Sequence, residues 1–382
     1  MSVESEILRI QHNIADTYAA VAEKGGEVPL QLTSANLAAA INSIPIGAGI
    51  QTLKVISPPK YTAYAAGEKF DMTGLEAHGV FSNGIELPIP NELLSVHPET
   101  IGPSTTEAAV VFQWNGDNAA TAAFPITVQA YPHAMNACTW AQLGELSANN
   151  QFAKYYSVGD AKEFKMTWKY STPYLVNQTM SCIVIGVNHN SAKEGSNRLH
   201  CMITVGNSAD KVLTDDKYGN IISSSSTNSF SLNYSATNVG GFPQTTLNTK
   251  TLVSLRNSLP AELRNVMKTV TKWDDTGNGS DSTTSAITSH SYNITVPSPI
   301  EICGSGAANN VYEKNYQSQY LYFSGLGGIR FKKRSGDEFA KISTRTRYLF
   351  GGTEYFDCID ESGKPGILNP KTDAGLLPLI FI

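Results

Sequence analysis

Residues 376–382 read LLPLIFI, seven consecutive residues without a polar side chain. The run is far shorter than the ~20 apolar residues of a membrane span and shows no helical period. A short, wholly apolar run of this kind is expected to be a strand covered on both faces, inside a sheet. The 250 residues that it closes, 133–382, read as one α+β domain. MSCIVIGVNHN (180–190) and RLHCMITVG (198–206) are further apolar strands, the first ending in a polar loop. KYYSVGDAKEFKMTW (154–168) reads as a strand pair about Gly159-Asp160. TWAQLGELSANNQ (139–151), SLPAELRNVMKTVTKW (258–273) and AANNVYEKNYQSQYLYF (307–323) read as helices, the second with Leu263, Val266, Met267 and Val270 on one face. Residues 207–248 are rich in Ser and Asn and loop-like.

Upstream, the pattern changes twice. Residues 51–132 alternate in short runs (TLKVI, LEAHGVF, AAVVFQW, FPITVQA) separated by turn signals, the pattern of a β-sandwich. In FSNGIEL, Asn83-Gly84 suits a two-residue hairpin turn with positive φ, and WNGDN (114–118) is a second turn. Residues 1–48 are helical. Val3, Ile7, Ile10, Ile14 and Val21 recur in steps of 3 and 4, with Thr17 in the gap, a seam of about three heptads. Ser2 caps this helix, Glu4 and Glu6 lie in its first turn, Gly25-Gly26 end it and Pro29 prevents its resumption. Glu6, Arg9, Gln11, His12, Asn13 and Asp16 surround the stripe and keep it narrow. Isoleucine at both seam positions favours trimers or tetramers. The alternative is a helix docked on its own domain. TSANLAAAINSI (33–44) forms a second helix striped by Leu37, Ile41 and Ile44.

Charged residues make up 16% of the 382-residue chain and the net charge is −5, which gives no basic footprint for nucleic acid. Glu4 and Glu6 stand where a signal peptide would carry Lys or Arg, and no run is apolar enough to insert in a membrane. The expectation is synthesis in a cytoplasm without a signal peptide. Five cysteines without tight spacing (Cys138, Cys182, Cys201, Cys303 and Cys358) suggest free, mostly buried thiols.

Three resemblances follow from these residues. SVESEILRIQHNIADTYAAVAEKGGEVP with TSANLAAAINSIP resembles, over about the first 46 residues, the N-terminal module of tail-associated proteins of phages infecting Firmicutes. That resemblance implies attachment to, or trimerisation on, a virion. YAAGEKFDMTGLEAHGVFSNG resembles bacterial Ig-like repeats at Gly67, Glu68, Phe70, Asp71, Gly74, Leu75, Phe81 and Gly84, implying a spacer. The phrases YYSVGD, IVIGVNHN, LPAELRNVMKTVTKW, TGNGSD, NYQSQYLYF and FDCIDESGKPG…LLPLIFI resemble an uncharacterised C-terminal domain of Firmicutes phage tail proteins, over nearly all of 139–382. The closing segment also resembles C-type-lectin-like folds, including the hypervariable receptor-binding proteins of phages, which carry a ligand face on loops held by a final strand. The chain departs from its relatives in having KISTRTRYLF where they carry a WWLRSP-like phrase.

Catalytic signatures are weak. His200 and Cys201 are adjacent on a strand and point to opposite faces, so they are no nucleophile–base pair. Cys182 and His189 would meet only through the fold. DDTGNGSD offers Asp274, Asp275, Asn278 and Asp281 as oxygen ligands for Ca²⁺, but the EF-hand order is missing and a solvated loop is expected. Zinc spacing, a phosphate loop and GxSxG are absent, and Glu338, Glu354, Asp357 and Asp360 are scattered acids. No catalytic residue, metal or cofactor is assigned. Arg and aromatic residues concentrate at binding hot spots. TRTRYLFGGTEYFD (344–357) therefore supplies the candidate ligand contacts Arg345, Arg347, Tyr348, Thr353, Glu354 and Tyr355, on the exposed half of an alternating strand.

The reading is a multidomain, mainly β protein with some helix: a coiled-coil helix, an Ig-like sandwich and a lectin-like α+β domain. The expected role is a non-enzymatic, trimeric tail fibre or receptor-binding virion protein. Its expected partners are other tail proteins and a host-surface glycan or protein. A structural virion component and a cell-wall glycan depolymerase are the alternatives.

Overall fold

The computed structural model describes the chain except residues 1–2, 25, 44–49, 83, 114–118, 170–172, 214–229, 278–283, 305–309, 327–328, 335–336, 349–353 and 373. Strand and helix are both substantial, in several small sheets, and the chain divides into two compact units, Met1–His133 and Ala134–Ile382.

The first unit begins with α1 (Val3–Glu23) and α2 (Ser34–Ser43). Tyr18 and Val21 of α1 bury with Ala40 of α2, and Ile14 and Leu37 pack beside them. The Tyr18 hydroxyl donates to the Thr33 carbonyl at 2.6 Å, closing the hairpin. The expected seam is therefore split. Val21 is 3% exposed and packs within its own chain, whereas Val3, Ile7 and Ile10 are 79%, 50% and 48% exposed. Ten residues of α2 reach only the second half of a 21-residue helix.

The strands of this unit are β1 (Ile50–Ser57), β2 (Ala63–Ala65), β3 (Glu76–Phe81), β4 (Glu86–Ile89), β5 (Leu94–His97), β6 (Glu107–Phe112), β7 (Ala120–Pro125) and β8 (Thr127–Gln129). They form sheets β1-β3-β4 and β5-β6-β7 and a parallel pair β2-β8. Alternation places Ala108, Val110 and Phe112 of β6 in one core with Leu53, Tyr64 and Phe124. The FSNGIEL hairpin forms, with Val80 opposite Glu86 and Gly84 at φ +80°. Asn83 and the WNGDN turn lie outside the described residues.

In the second unit, Thr139 caps α3 (Trp140–Ala148) by a capping box with Gln142, and α4 (Phe152–Tyr155) follows. Then come β9 (Ala161–Lys169), β10 (Pro173–Val187), α5 (Ser191–Glu194), β11 (Leu199–Val205), α6 (Leu252–Ser258) and α7 (Ala261–Val266). The chain continues through β12 (Val270–Asp275), β13 (Ile287–Tyr292), β14 (Ile294–Thr295), α8 (Pro299–Cys303) and α9 (Leu321–Ser324). It ends with β15 (Ile342–Arg347), β16 (Phe356–Ile359), β17 (Pro365–Leu368) and β18 (Leu379–Phe381). The main sheet runs β14-β18-β11-β10-β9, so the terminal apolar strand lies inside it. All of 376–382 is buried, and Leu199 exchanges hydrogen bonds with Ile382 at 2.8 and 3.0 Å.

Three expected elements differ. Residues 154–156 end a helical turn and are not a strand. The helix expected over 258–273 stops at Val266, and VTKWDD becomes β12. The cause is tertiary: the Lys268 N–H donates to the Phe381 carbonyl at 2.8 Å instead of to a helical carbonyl. The helix expected over 307–323 is reduced, among the described residues, to a 3₁₀ turn at Glu313–Asn315 and the single turn α9. Asn310, Glu313, Gln317 and Tyr320 turn inward there to a polar interior.

Candidate functional site

That polar interior is the most unusual feature of the second unit. Strands β12 and β15 are adjacent and carry Lys272, Asp274, Asp275, Arg345 and Arg347, all buried. Charged groups withdrawn from water need partners. Glu301 supplies two cations at once. Arg345 donates to it through Nη1 (2.9 Å) and Nη2 (3.0 Å), and Lys272 Nζ donates at 2.7 Å. The same carboxylate caps α8: it accepts from the Ser298 N–H at 2.9 Å while Ser298 Oγ accepts from the Glu301 N–H at 3.2 Å. Lys272 also donates to Glu194 of α5 and, at 3.1 Å, to the Tyr320 hydroxyl. Arg345 Nε lies 3.3 Å from Asp274, which accepts from the Tyr292 hydroxyl at 2.7 Å.

A second node sits at Asp275. It accepts from Arg347 (3.3 Å), from Asn310 Nδ2 (2.8 Å) and from the Gly277 N–H (2.9 Å). It thereby ties the segments of Asn310 and Arg347 to the end of β12. Glu313 accepts from the Thr346 hydroxyl (2.7 Å), Gln317 (2.9 Å) and the Asp275 N–H (3.1 Å). Above this node the Tyr348 N–H donates to the Tyr355 carbonyl (3.2 Å), which also accepts from Asn238 Nδ2 (2.7 Å).

Lys272, Arg345 and Arg347 face the carboxyls of Glu194, Glu301, Asp274, Asp275 and Glu313, so acids outnumber bases by five to three. Burial raises Glu194 against the pull of Lys272, raises Asp274 against Arg345, and pushes Glu313 up to about 8. At Glu313 the raised value keeps the group protonated near pH 7, which relieves part of the surplus. At Glu301 burial also opposes the charge, but Arg345 and Lys272 overcome it and hold the group at about 2.

His189, Glu194 and Glu301 place ligand atoms within 4.8 Å of one another. Lys272 Nζ, bonded to both carboxylates, already supplies the positive charge there, and the set does not fit an added metal ion. His200 and Cys201 are fully buried, and Cys201 is kept a thiol by its hydrogen bond with Cys182 and by burial. Asp274 and Asp275 belong to β12 and the ionic network rather than to a solvated loop, while Asn278 and Asp281 lie outside the described residues.

The expected ligand contacts separate accordingly. Arg345 and Arg347 are not on an exposed face. β15 is buried along its whole length, so its alternation selects between two covered sides. Tyr348 and Tyr355 are half-buried with ring centroids 6.5 Å apart, and Glu354 is exposed. Thr353 lies outside the described residues. Lys272, Glu194, Glu301, Glu313 and Tyr320 escaped the sequence reading. The one local signal was Ser298-Pro-Ile-Glu301, a legible capping box. No protein-family model matches the chain, and no curated protein is detectably similar to it.

Proposed function

We propose that the chain is a multivalent, non-enzymatic binding protein of a phage tail. Its first helix assembles copies, the strands of its first unit form an Ig-like spacer, and its second unit is a lectin-like domain that binds the host surface. The observation that carries this reading is the stripe Val3, Ile7 and Ile10, open to water at heptad spacing on a helix whose other half is already packed. Burying such a stripe against copies of itself removes apolar surface from water without a second kind of protein. The ionic network supports a binding role. Its charges are spent on one another, and Asp275 holds the segments of Asn310 and Arg347 together. Weak single sites carried on one assembly act at high effective concentration, which suits adhesion. Light scattering on the intact chain tests the proposal: a mass several times 41.1 kDa supports it and a monomer contradicts it.

A further inference from the structure

On another side of the second unit, a cleft of about 720 Å³ opens between the segment after α4, the end of β10 and α9. That volume falls within the ~300–1,000 Å³ of small-molecule sites. Its walls are Leu321 and Leu326, 66% and 49% exposed, together with half-buried Tyr322 and buried Tyr156. No Asp, Glu, Lys or Arg lines it among the described residues. His189 lies in the lining with a side chain only 7% exposed. Its ring stacks on Tyr320 at 3.9 Å, and its Nε2 is 3.3 Å from Ser318 Oγ and 3.9 Å from Glu194. A backbone group of Ser318 also hydrogen-bonds the ring. Gly186 makes room for this ring, because a Cβ there would come within 3.1 Å of both His189 and Tyr320. Burial, with Lys272 behind it, lowers His189 to about 4, so the imidazole is neutral near pH 7.

These features select a ligand. A charged one would leave water for a cleft without a countercharge. A purely apolar one would leave the polar edge of His189 in the lining unmatched. A molecule with an apolar face and hydroxyl edges meets both demands. We infer that the cleft binds a neutral pyranose unit, its apolar face against Leu321, Tyr322 and Leu326 and one hydroxyl against the polar edge of His189. Neither Tyr348 nor Tyr355 lines the cleft, and the site does not depend on how copies assemble.

Saturation-transfer-difference NMR on the intact chain tests this, using methyl α-glucopyranoside, methyl β-galactopyranoside and N-acetylglucosamine as neutral probes. Glucuronate and 8-anilinonaphthalene-1-sulfonate serve as charged and apolar comparators. At least one neutral sugar is expected to show transfer with a Kd on the order of millimolar, the range for a ligand of this size. His189→Phe keeps the stacked ring and removes both nitrogens; it is expected to weaken that sugar about tenfold or more. Tyr322→Ala, at a half-exposed position, gives the same expected loss should His189→Phe fail to fold. Absence of transfer from all three sugars overturns the inference. So does a preference for glucuronate or the naphthalene probe, or wild-type sugar binding in Tyr322→Ala. Because each site is read singly, a negative result here leaves the assembly of α1 untouched, and a monomeric chain leaves this site untouched.

Discussion

The first and last elements of the chain are both rich in isoleucine, and the fold treats them in opposite ways. In β18, Leu379, Ile380 and Phe381 are fully buried between β14 and β11. In α1, Val3, Ile7 and Ile10 face water. Period decides the difference. A run that is apolar at every position demands cover on both faces, which a sheet interior with layers above and below provides. A stripe recurring every 3 to 4 residues demands only one more helix. The chain provides α2 for that purpose, but α2 is ten residues long and reaches Ile14, Tyr18 and Val21 alone. The remaining stripe stays open to water, and the proposed assembly rests on it.

The contrast yields graded predictions. The largest concerns the interior on which β18 rests. Glu301→Ala would strand Arg345 and Lys272 without their shared carboxylate, at a cost of about 3–5 kcal/mol. Urea unfolding of the second unit reads this, and a loss below about 1 kcal/mol would show that the network is dispensable. Next, Ile380→Ala should cost about 2–5 kcal/mol, whereas Ile7→Ala should leave the unfolding of the second unit unchanged. Equal effects would erase the distinction between the two elements.

A smaller effect is expected with pH. His189, lowered to about 4, stays neutral in the folded chain while an unfolded histidine protonates near 6.5. Its contribution is complete above pH 6.5 and is lost as pH falls from 6.5 through 4. His200, lowered in the same direction by burial, adds to this. Glu313 has the opposite sign: raised to about 8, it favours folding below pH 4.5 and loses that contribution between 4.5 and 8. Denaturation across pH 4–6.5 should show the slope of His189→Phe reduced by up to about 1.4 kcal/mol per pH unit. An unchanged slope would mean that His189 is charged when folded. The smallest effect is Tyr18→Phe, which removes the hydroxyl donated to Thr33 and should loosen the α1–α2 hairpin by about 1 kcal/mol, read as faster amide exchange in α2.

How far the sequence revealed these features depended on whether a segment's partners were local. LLPLIFI, the FSNGIEL hairpin and the helix starting at TWAQLGEL are decided by composition and near neighbours, and they were legible. TVTKW was read as helix because the spacing of Leu263, Val266 and Val270 continues into it, and only the Phe381 carbonyl, 113 positions after Lys268, ends the helix. The ionic network was illegible for the same reason. Lys272, Glu194, Glu301 and Arg345 come from four distant segments, and each alone looks like an ordinary surface charge. Arg345 and Arg347 were noticed for their residue type but placed on the wrong side of the surface, because alternation cannot reveal that a strand is covered twice.

The most direct test of the account is the solution mass of the intact chain beside an Ile7→Asp, Ile10→Asp double variant, both positions being exposed in the single chain. Multi-angle light scattering should give an oligomer, with a trimer expected from isoleucine at both seam positions, and the single-chain mass of 41.1 kDa for the variant at an unchanged melting temperature. The same mass for both proteins would contradict the account.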